Sequence, residues 1–244
     1  QCGYGATAGA WRPWQLQDGT PVEVPADFRP RRSPDGGWIV EREGRVEARM
    51  PAGGSYFDSD LWAGERPAID SLCLPPRSDE DLRWAEELLR SLYESTDYAI
   101  LSDSWGGLFS LNLGGFVEWS MALLTDQPYV RAALERVTDH WLAELPRFYQ
   151  AVGGRIVAIV FADDLGTQRG EALSPDLFRE LFAPYYRQVF DWVHRHTPWK
   201  VFLHCCGSIV NLIDPLIEVG VDILNPVQTS AAGMDPPALK ARFG

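Results

Sequence analysis

No stretch of this 244-residue sequence approaches the roughly 18 consecutive apolar residues that a membrane-spanning helix needs, so a helical membrane protein is not expected. No basic segment followed by an apolar stretch stands at the N-terminus, and export through a signal peptide is not expected either. Positive charge is in short supply, with 22 Lys and Arg against 34 Asp and Glu and a formal charge of -12. Such a balance repels phosphate backbones and anionic headgroups, which makes nucleic acid and membrane surfaces poor partners and favours a small-molecule substrate. Cysteine is sparse as well: there are four, two of them adjacent and none in a regular framework. That argues against a disulfide scaffold and for a reducing, cytoplasmic setting.

What is present is material for a core. Hydrophobic residues make up 45% of the chain and there are ten tryptophans, enough for one large α/β domain or two small ones. The sequence starts at Gln1 and stops at Phe243-Gly244, barely two turns into a helix that opens near Asp235. Both ends look cut, and an internal fragment of a longer chain is expected. Up to about Pro76 the sequence is rich in Gly, Pro and Arg, and residues 1–76 read as an irregular cap or insertion. Its one regular feature is a short β-hairpin, Trp38-Ile39-Val40 with Val46-Glu47-Ala48 around Glu43-Gly44.

From residue 77 onward the pattern becomes regular. Ser78 followed by Asp79, Glu80 and Asp81 is a helix start, and Leu82, Ala85, Leu88, Leu89 and Leu92 form its apolar stripe. Tyr98-Ala99-Ile100-Leu101 reads as a buried strand, with a helix around residues 116–124. A longer helix opens after Asp126, presenting Val130, Leu134, Val137 and Trp141 until Pro146 disturbs it. Residues 156–161 form the next strand, and Ser174 caps a helix with Pro175 at its first position. Lys200 to Leu203 is a third strand, after which Ser208 caps a helix carrying Ile209, Leu212, Ile213, Leu216 and Ile217 that Gly220 ends. The strand 221–224 and a helix opened by Asp235-Pro236-Pro237 complete the run. Short apolar strands alternating with amphipathic helices imply parallel strands joined by crossovers, in an open sheet or a closed (β/α) barrel. Either fold carries its chemistry at the carboxyl ends of the strands.

The polar clusters stand at those ends: Asp103 and Trp105, Asp163 and Asp164 with Gln168 just beyond, His204 and Cys206, and Asn225 and Gln228. In Lys200-Val201-Phe202-Leu203-His204-Cys205-Cys206-Gly207-Ser208, alternation sends His204 and Cys206 to one side and Cys205 to the other. Imidazole nitrogen and thiolate sulfur together suit zinc, whose catalytic sites use about three protein ligands and one open position, so a further ligand has to come from elsewhere. A buried cysteine and a hydrogen-bonded histidine are the plainer alternative. One of the two aspartates is expected to cap a turn; a carboxylate at the mouth could bind a cationic substrate, complete a zinc shell or hand over protons. Asp103 could stabilise a turn, and the amides of Asn225 and Gln228 could serve the backbone or a polar substrate edge. His140, His194 and His196 lie on helices away from strand ends and read as solvated or structural. Cys205 reads as packed under helices, and Cys2 and Cys73 carry no signal.

From Tyr98 onward the chain resembles the uroporphyrinogen decarboxylase superfamily, which includes corrinoid methyltransferases. The resemblance rests on Phe161-Ala162-Asp163-Asp164-Leu165-Gly166, on Leu173-Ser174-Pro175 with Phe178 and Pro184-Tyr185-Tyr186, on His204-Cys205-Cys206-Gly207, and on Gly220-Val221-Asp222-Ile223-Leu224-Asn225-Pro226-Val227-Gln228. It implies a (β/α)8 TIM-type barrel, with residues 77–244 supplying the middle strands and the final strands missing. It also implies that His204 and Cys206 are two zinc ligands, as in the methyltransferase branch, with the third, a cysteine near the barrel's end, outside this chain.

The expected activity is zinc-dependent transfer of a methyl group between a corrinoid and a thiol-type acceptor, with a corrinoid protein as a possible partner. Asp163 or Asp164 would polarise or orient the substrate, and Asp103, Trp105, Gln168, Asn225 and Gln228 would line its site. The alternatives are metal-free uroporphyrinogen decarboxylation, in which one of the two aspartates would stabilise a protonated pyrrole, and non-catalytic corrinoid or tetrapyrrole binding.

Overall fold

The structure, a computed structural model, describes residues 11–16, 18–26, 28–42, 45–54, 57–59, 66–72 and 74–244. Cys2, Cys73 and the turn Glu43-Gly44 lie outside the described residues. By internal contact the chain divides into two units, residues 6–67 with 112–120, and residues 68–111 with 121–244.

The first unit is antiparallel. Strands β1 (Trp11–Gln15) and β2 (Pro21–Pro25) form a hairpin, and β3 (Arg31–Arg32), β4 (Trp38–Arg42), β5 (Arg45–Met50) and β6 (Asp58–Ser59) form a sheet in that order. The pair β4 and β5, with Val40 opposite Ala48, falls where the sequence places its hairpin. Four rings fasten the unit: Trp14 lies 5.6 Å from Phe28 and 5.5 Å from Trp38, and Phe28 lies 5.3 Å from Phe57, all edge-on as ring quadrupoles prefer.

In the second unit α1 (Asp79–Ser95) opens with a capping box, in which the Ser78 hydroxyl accepts from the Asp81 amide at 3.0 Å. The remaining elements follow as β7 (Leu101–Ser104), α2 (Phe116–Thr125), which spans the boundary between the units, α3 (Gln127–Val152), β8 (Ala158–Ala162), α4 (Pro175–Leu177), a π-helical turn (Phe178–Phe182), α5 (Ala183–His196), β9 (Lys200–His204), α6 (Ile213–Glu218), β10 (Ile223–Asn225) and α7 (Pro236–Phe243). All four strands are parallel and lie in the order β10-β9-β8-β7, each beside its neighbour in sequence. A doubly wound sheet reverses its strand order partway; sequential neighbours with helices between them are the arc of a TIM-type barrel.

Alternation sorts the two sides of this sheet. Ile159 and Phe161 on β8 and Val201 and Leu203 on β9 are buried toward the helices. There Phe161 meets Trp141 of α3 at 5.3 Å and Phe190 of α5 at 5.0 Å. Burying such a side chain contributes about 1.5–3 kcal/mol. The register pairs Val160 with Phe202 and Ala162 with His204, and His204 in turn with Asn225, so these stand on the opposite side.

Several sequence expectations are corrected. The first parallel strand covers 101–104 rather than 98–101 and is not buried: Leu101 is 39% exposed, as suits a strand that among the described residues has a neighbour on one edge, and Tyr98, which lies before the strand, is 84% exposed. Of the α1 stripe only Leu89 is buried. Pro146 does not end α3, which continues to Val152. Phe148 and Val152, both fully buried beyond it, together outweigh the roughly 3 kcal/mol that an interior proline costs. Ser208 caps no helix, because its hydroxyl donates to the Ala232 carbonyl at 2.6 Å and its amide to the Thr167 carbonyl at 2.7 Å; α6 starts five residues later, at Ile213. Ile209, Leu212, Ile213 and Leu216 are buried all the same, while Ile217 is exposed.

Candidate metal centre

Strand β9 ends at His204, and the chain then turns through Gly207 at φ +90°. A side chain there would be strained by that φ, and its Cβ would lie 2.5 Å from the Gly166 backbone; a Cβ on Gly166 would in turn lie 2.7 Å from the Cys206 carbonyl. Two glycines back to back therefore let the loops after β8 and β9 close on each other.

Four consecutive amides of the β9 loop are tied down. Cys205 donates to the Asn225 carbonyl at 2.7 Å, Cys206 to Asp164 Oδ1 at 2.9 Å, Gly207 to Gln228 Oε1 at 2.8 Å, and Ser208 to the Thr167 carbonyl. Held in this way, His204 and Cys206 share one side, with Sγ 3.3 Å from Nε2, and Asp164 Oδ1 stands 4.0 Å from the same nitrogen. Cys205 is fully buried on the other side, and burial pushes its thiol up to about 12. The Cys206 thiol is also pushed up, by burial first and then by the negative charge of Asp164 beside it. His204 Nδ1 lies 3.0 Å from Asn225 Oδ1.

One ligand atom each from Asp164, His204 and Cys206 falls within a 4.8 Å group. Tetrahedral zinc, with bonds of about 2.0–2.1 Å to nitrogen and 2.3 Å to sulfur, places those two donors about 3.5 Å apart, close to the separation found. Oxygen, nitrogen and sulfur ligands leaving a fourth position free match a catalytic zinc site. The donor set therefore fits a metal ion. Among the described residues Asp164 is the group that could serve as a third donor beside His204 and Cys206.

Asp163 takes a different part. It is fully buried, and its carboxylate accepts from the Phe109 amide (2.9 Å), the Ser110 amide (2.7 Å), the Ser110 hydroxyl (2.7 Å) and the Tyr186 hydroxyl. Tyr186 in turn accepts from the Leu108 amide at 2.9 Å. Burial raises the Asp163 carboxyl above its ordinary value against the pull of these donors, and raises the Tyr186 phenol well above its own. Of the two aspartates Asp163 is thus the one that holds a turn, and the structure does not bring its carboxylate to His204 and Cys206. Ser110 and Tyr186, which hold it, escape the sequence reading; the Pro184-Tyr185-Tyr186 motif is the one trace of them.

Nor are Asp103 and Trp105 brought to the cluster. Asp103 pairs with Arg77 at 2.9 Å, and the Trp105 ring packs 5.5 Å from Phe148 of α3 with the Arg77 guanidinium over its face. Gln168 is exposed and contributes its carbonyl to the Ala232 amide. His194 pairs with Asp222 at 2.7 Å, His196 stacks on Trp192, and burial lowers the pKa of His140. Among the described residues no helix is long and apolar enough to cross a membrane.

The sequence profile of the uroporphyrinogen decarboxylase (URO-D) family matches residues 100–232, more than half of the chain. No curated protein matches. Among solved structures, a methyltransferase from Methanosarcina mazei shares the fold with a TM-score of 0.51 at 16% identity, over 75% of this chain and 51% of that one. The chain spans about half the length of that structure.

Proposed function

The chain belongs to the uroporphyrinogen decarboxylase family, and from that premise we propose that it is a zinc-dependent methyltransferase, moving a methyl group between a corrinoid and a thiol-type acceptor. The observation that carries this reading is the convergence of Asp164, His204 and Cys206 at the carboxyl ends of β8 and β9, where barrel enzymes keep their chemistry. Zinc, when bound, supplies a Lewis acid that keeps an acceptor thiol deprotonated at neutral pH.

His204 offers its Nε2 lone pair. Cys206 would give up its proton to become a ligand, and Asp164 would add a second negative charge. Together the two anions would offset the charge of a divalent ion, and an acceptor sulfur beside them would keep its nucleophilicity. In such a transfer the acceptor would release its thiol proton to solvent and its sulfur would bond the methyl carbon, while the cobalt–carbon bond of the methylcorrinoid substrate would break with its electron pair left on cobalt. The Asn225 carbonyl and the Gln228 side-chain oxygen hold the loop that presents the donors.

Metal-free decarboxylation is the alternative that the family description favours. Asp163, with four donors on its carboxylate, has nothing to offer a pyrrole, which leaves Asp164 for that part. Zinc content and methyl transfer from a methylcorrinoid to thiol acceptors decide between the two. Near-stoichiometric zinc in the wild type, lost in Cys206→Ala and weakened in Asp164→Asn together with transfer, is the expected outcome. Zinc-dependent transfer that survives in Cys206→Ala overturns the reading, and activity indifferent to a chelator moves it to decarboxylation.

A further inference from the structure

Asn225 is the last residue of β10 and lies in direct register with His204 on the parallel strand β9, so the two side chains stand on the same side of the sheet. Its carbonyl accepts from the Cys205 amide at 2.7 Å, which ties its main chain to the loop that carries the donors. From that anchored position Oδ1 reaches 3.0 Å to Nδ1 of His204. An amide oxygen only accepts hydrogen bonds, so the ring nitrogen facing it has to carry the proton, and a neutral imidazole has one proton to place.

We propose that Asn225 is a positioning residue that fixes His204 as its Nδ1–H tautomer, leaving the Nε2 lone pair turned toward Cys206 and Asp164. The sequence suggested a contact with substrate for this side chain; the geometry points to the histidine instead. Gln228 works differently, since its Oε1 takes the Gly207 amide and leaves the imidazole alone. Without the Asn225 oxygen nothing in the cluster holds the proton on Nδ1, and the ring can also turn about its bond to the chain. The consequence for metal binding rests on the zinc reading above, whereas the tautomer itself does not.

The test uses the protein labelled with 15N-histidine, stripped of metal with a chelator and held at a pH above the histidine titration range. Long-range proton–nitrogen spectra report which ring nitrogen is protonated, and loss of a signal in His204→Gln identifies the residue. The expected result is a protonated Nδ1 in the wild type, a mixture of tautomers in Asn225→Ala, the wild-type pattern restored in Asn225→Asp, and no change in Gln228→Ala. A wild-type proton on Nε2 overturns the proposal, as does an unchanged tautomer in Asn225→Ala or an equal disturbance in Gln228→Ala. Should Asn225→Ala fail to fold, the wild type and Asn225→Asp still decide.

Competition with a chromophoric chelator gives the second readout. Loss of the partner of a ligating histidine weakens metal binding by about 10- to 100-fold, so Asn225→Ala is expected to fall in that range and Asn225→Asp to recover. Equal zinc affinity in Asn225→Ala and wild type overturns the positioning role. A wild type that takes up no zinc sinks the methyltransferase reading instead, and the tautomer pattern still decides the role of Asn225.

Discussion

Neighbouring thiols with opposite surroundings make Cys205 and Cys206 a paired probe of the site. Both are pushed above the ordinary thiol value, so each has less thiolate than a free cysteine at any given pH and reacts more slowly with alkylating reagents. For half-buried Cys206 the rate should climb as pH rises past its elevated value, while fully buried Cys205 stays unmodified until the protein unfolds. Peptide mapping of alkylated protein across a pH series checks this, and modification of Cys205 in the folded protein at neutral pH would refute it. Asp163 calls for a different experiment. Asp163→Ala takes away the carboxylate that accepts from four donors, and each lost bond to a buried group costs about 1–3 kcal/mol before water or local rearrangement makes it good. A loss of about 3 kcal/mol or more in denaturant unfolding is expected; an unchanged midpoint would mean that the network contributes nothing.

Turns and helices carry their own tests. Gly207→Ala meets both a left-handed backbone and the Gly166 main chain, at a cost of about 2–5 kcal/mol, and it displaces Cys206 from His204. Zinc uptake should therefore fall along with stability. In α3 the exposed Pro146 is tolerated rather than required, so Pro146→Ala should raise the urea midpoint, with the unfolding free energy up by about 2 kcal/mol once the stiffness proline lends to the unfolded chain is subtracted. A lowered midpoint would assign the proline a structural part. These two positions also mark what could be read from the chain beforehand. Apolar runs such as Val201 to Leu203 are legible because a buried parallel strand needs them, and the Ser78, Ser174 and Asp235 caps are legible because a short side-chain oxygen suits a helix start. The passage through Pro146 and the late start of α6 were not, because partners distant in sequence decide them: the buried neighbours of Phe148, and the carbonyls of Thr167 and Ala232.

The assembled sheet explains why some of the site was readable. His204 and Cys206 could be paired from strand alternation alone, while Asp164, Asn225 and Gln228 found their partners only once β8, β9 and β10 lay side by side. Among the described residues β7 and β10 each have one strand neighbour, and open parallel edges invite pairing with another chain. The 244-residue chain on its own is expected to associate in a concentration-dependent manner, which sedimentation would detect; a strict monomer at all concentrations would mean that these edges are shielded. The four pinned amides of the β9 loop bear on the heat of metal binding. Structural zinc modules fold as they take up the ion and show a large fall in heat capacity as apolar surface is buried. A loop whose main chain is already fastened without the ion has little left to order, so calorimetric titration with zinc should give a heat capacity change near zero and a far-ultraviolet circular dichroism spectrum the same before and after. In that respect the cluster would behave as a finished socket rather than a folding nucleus.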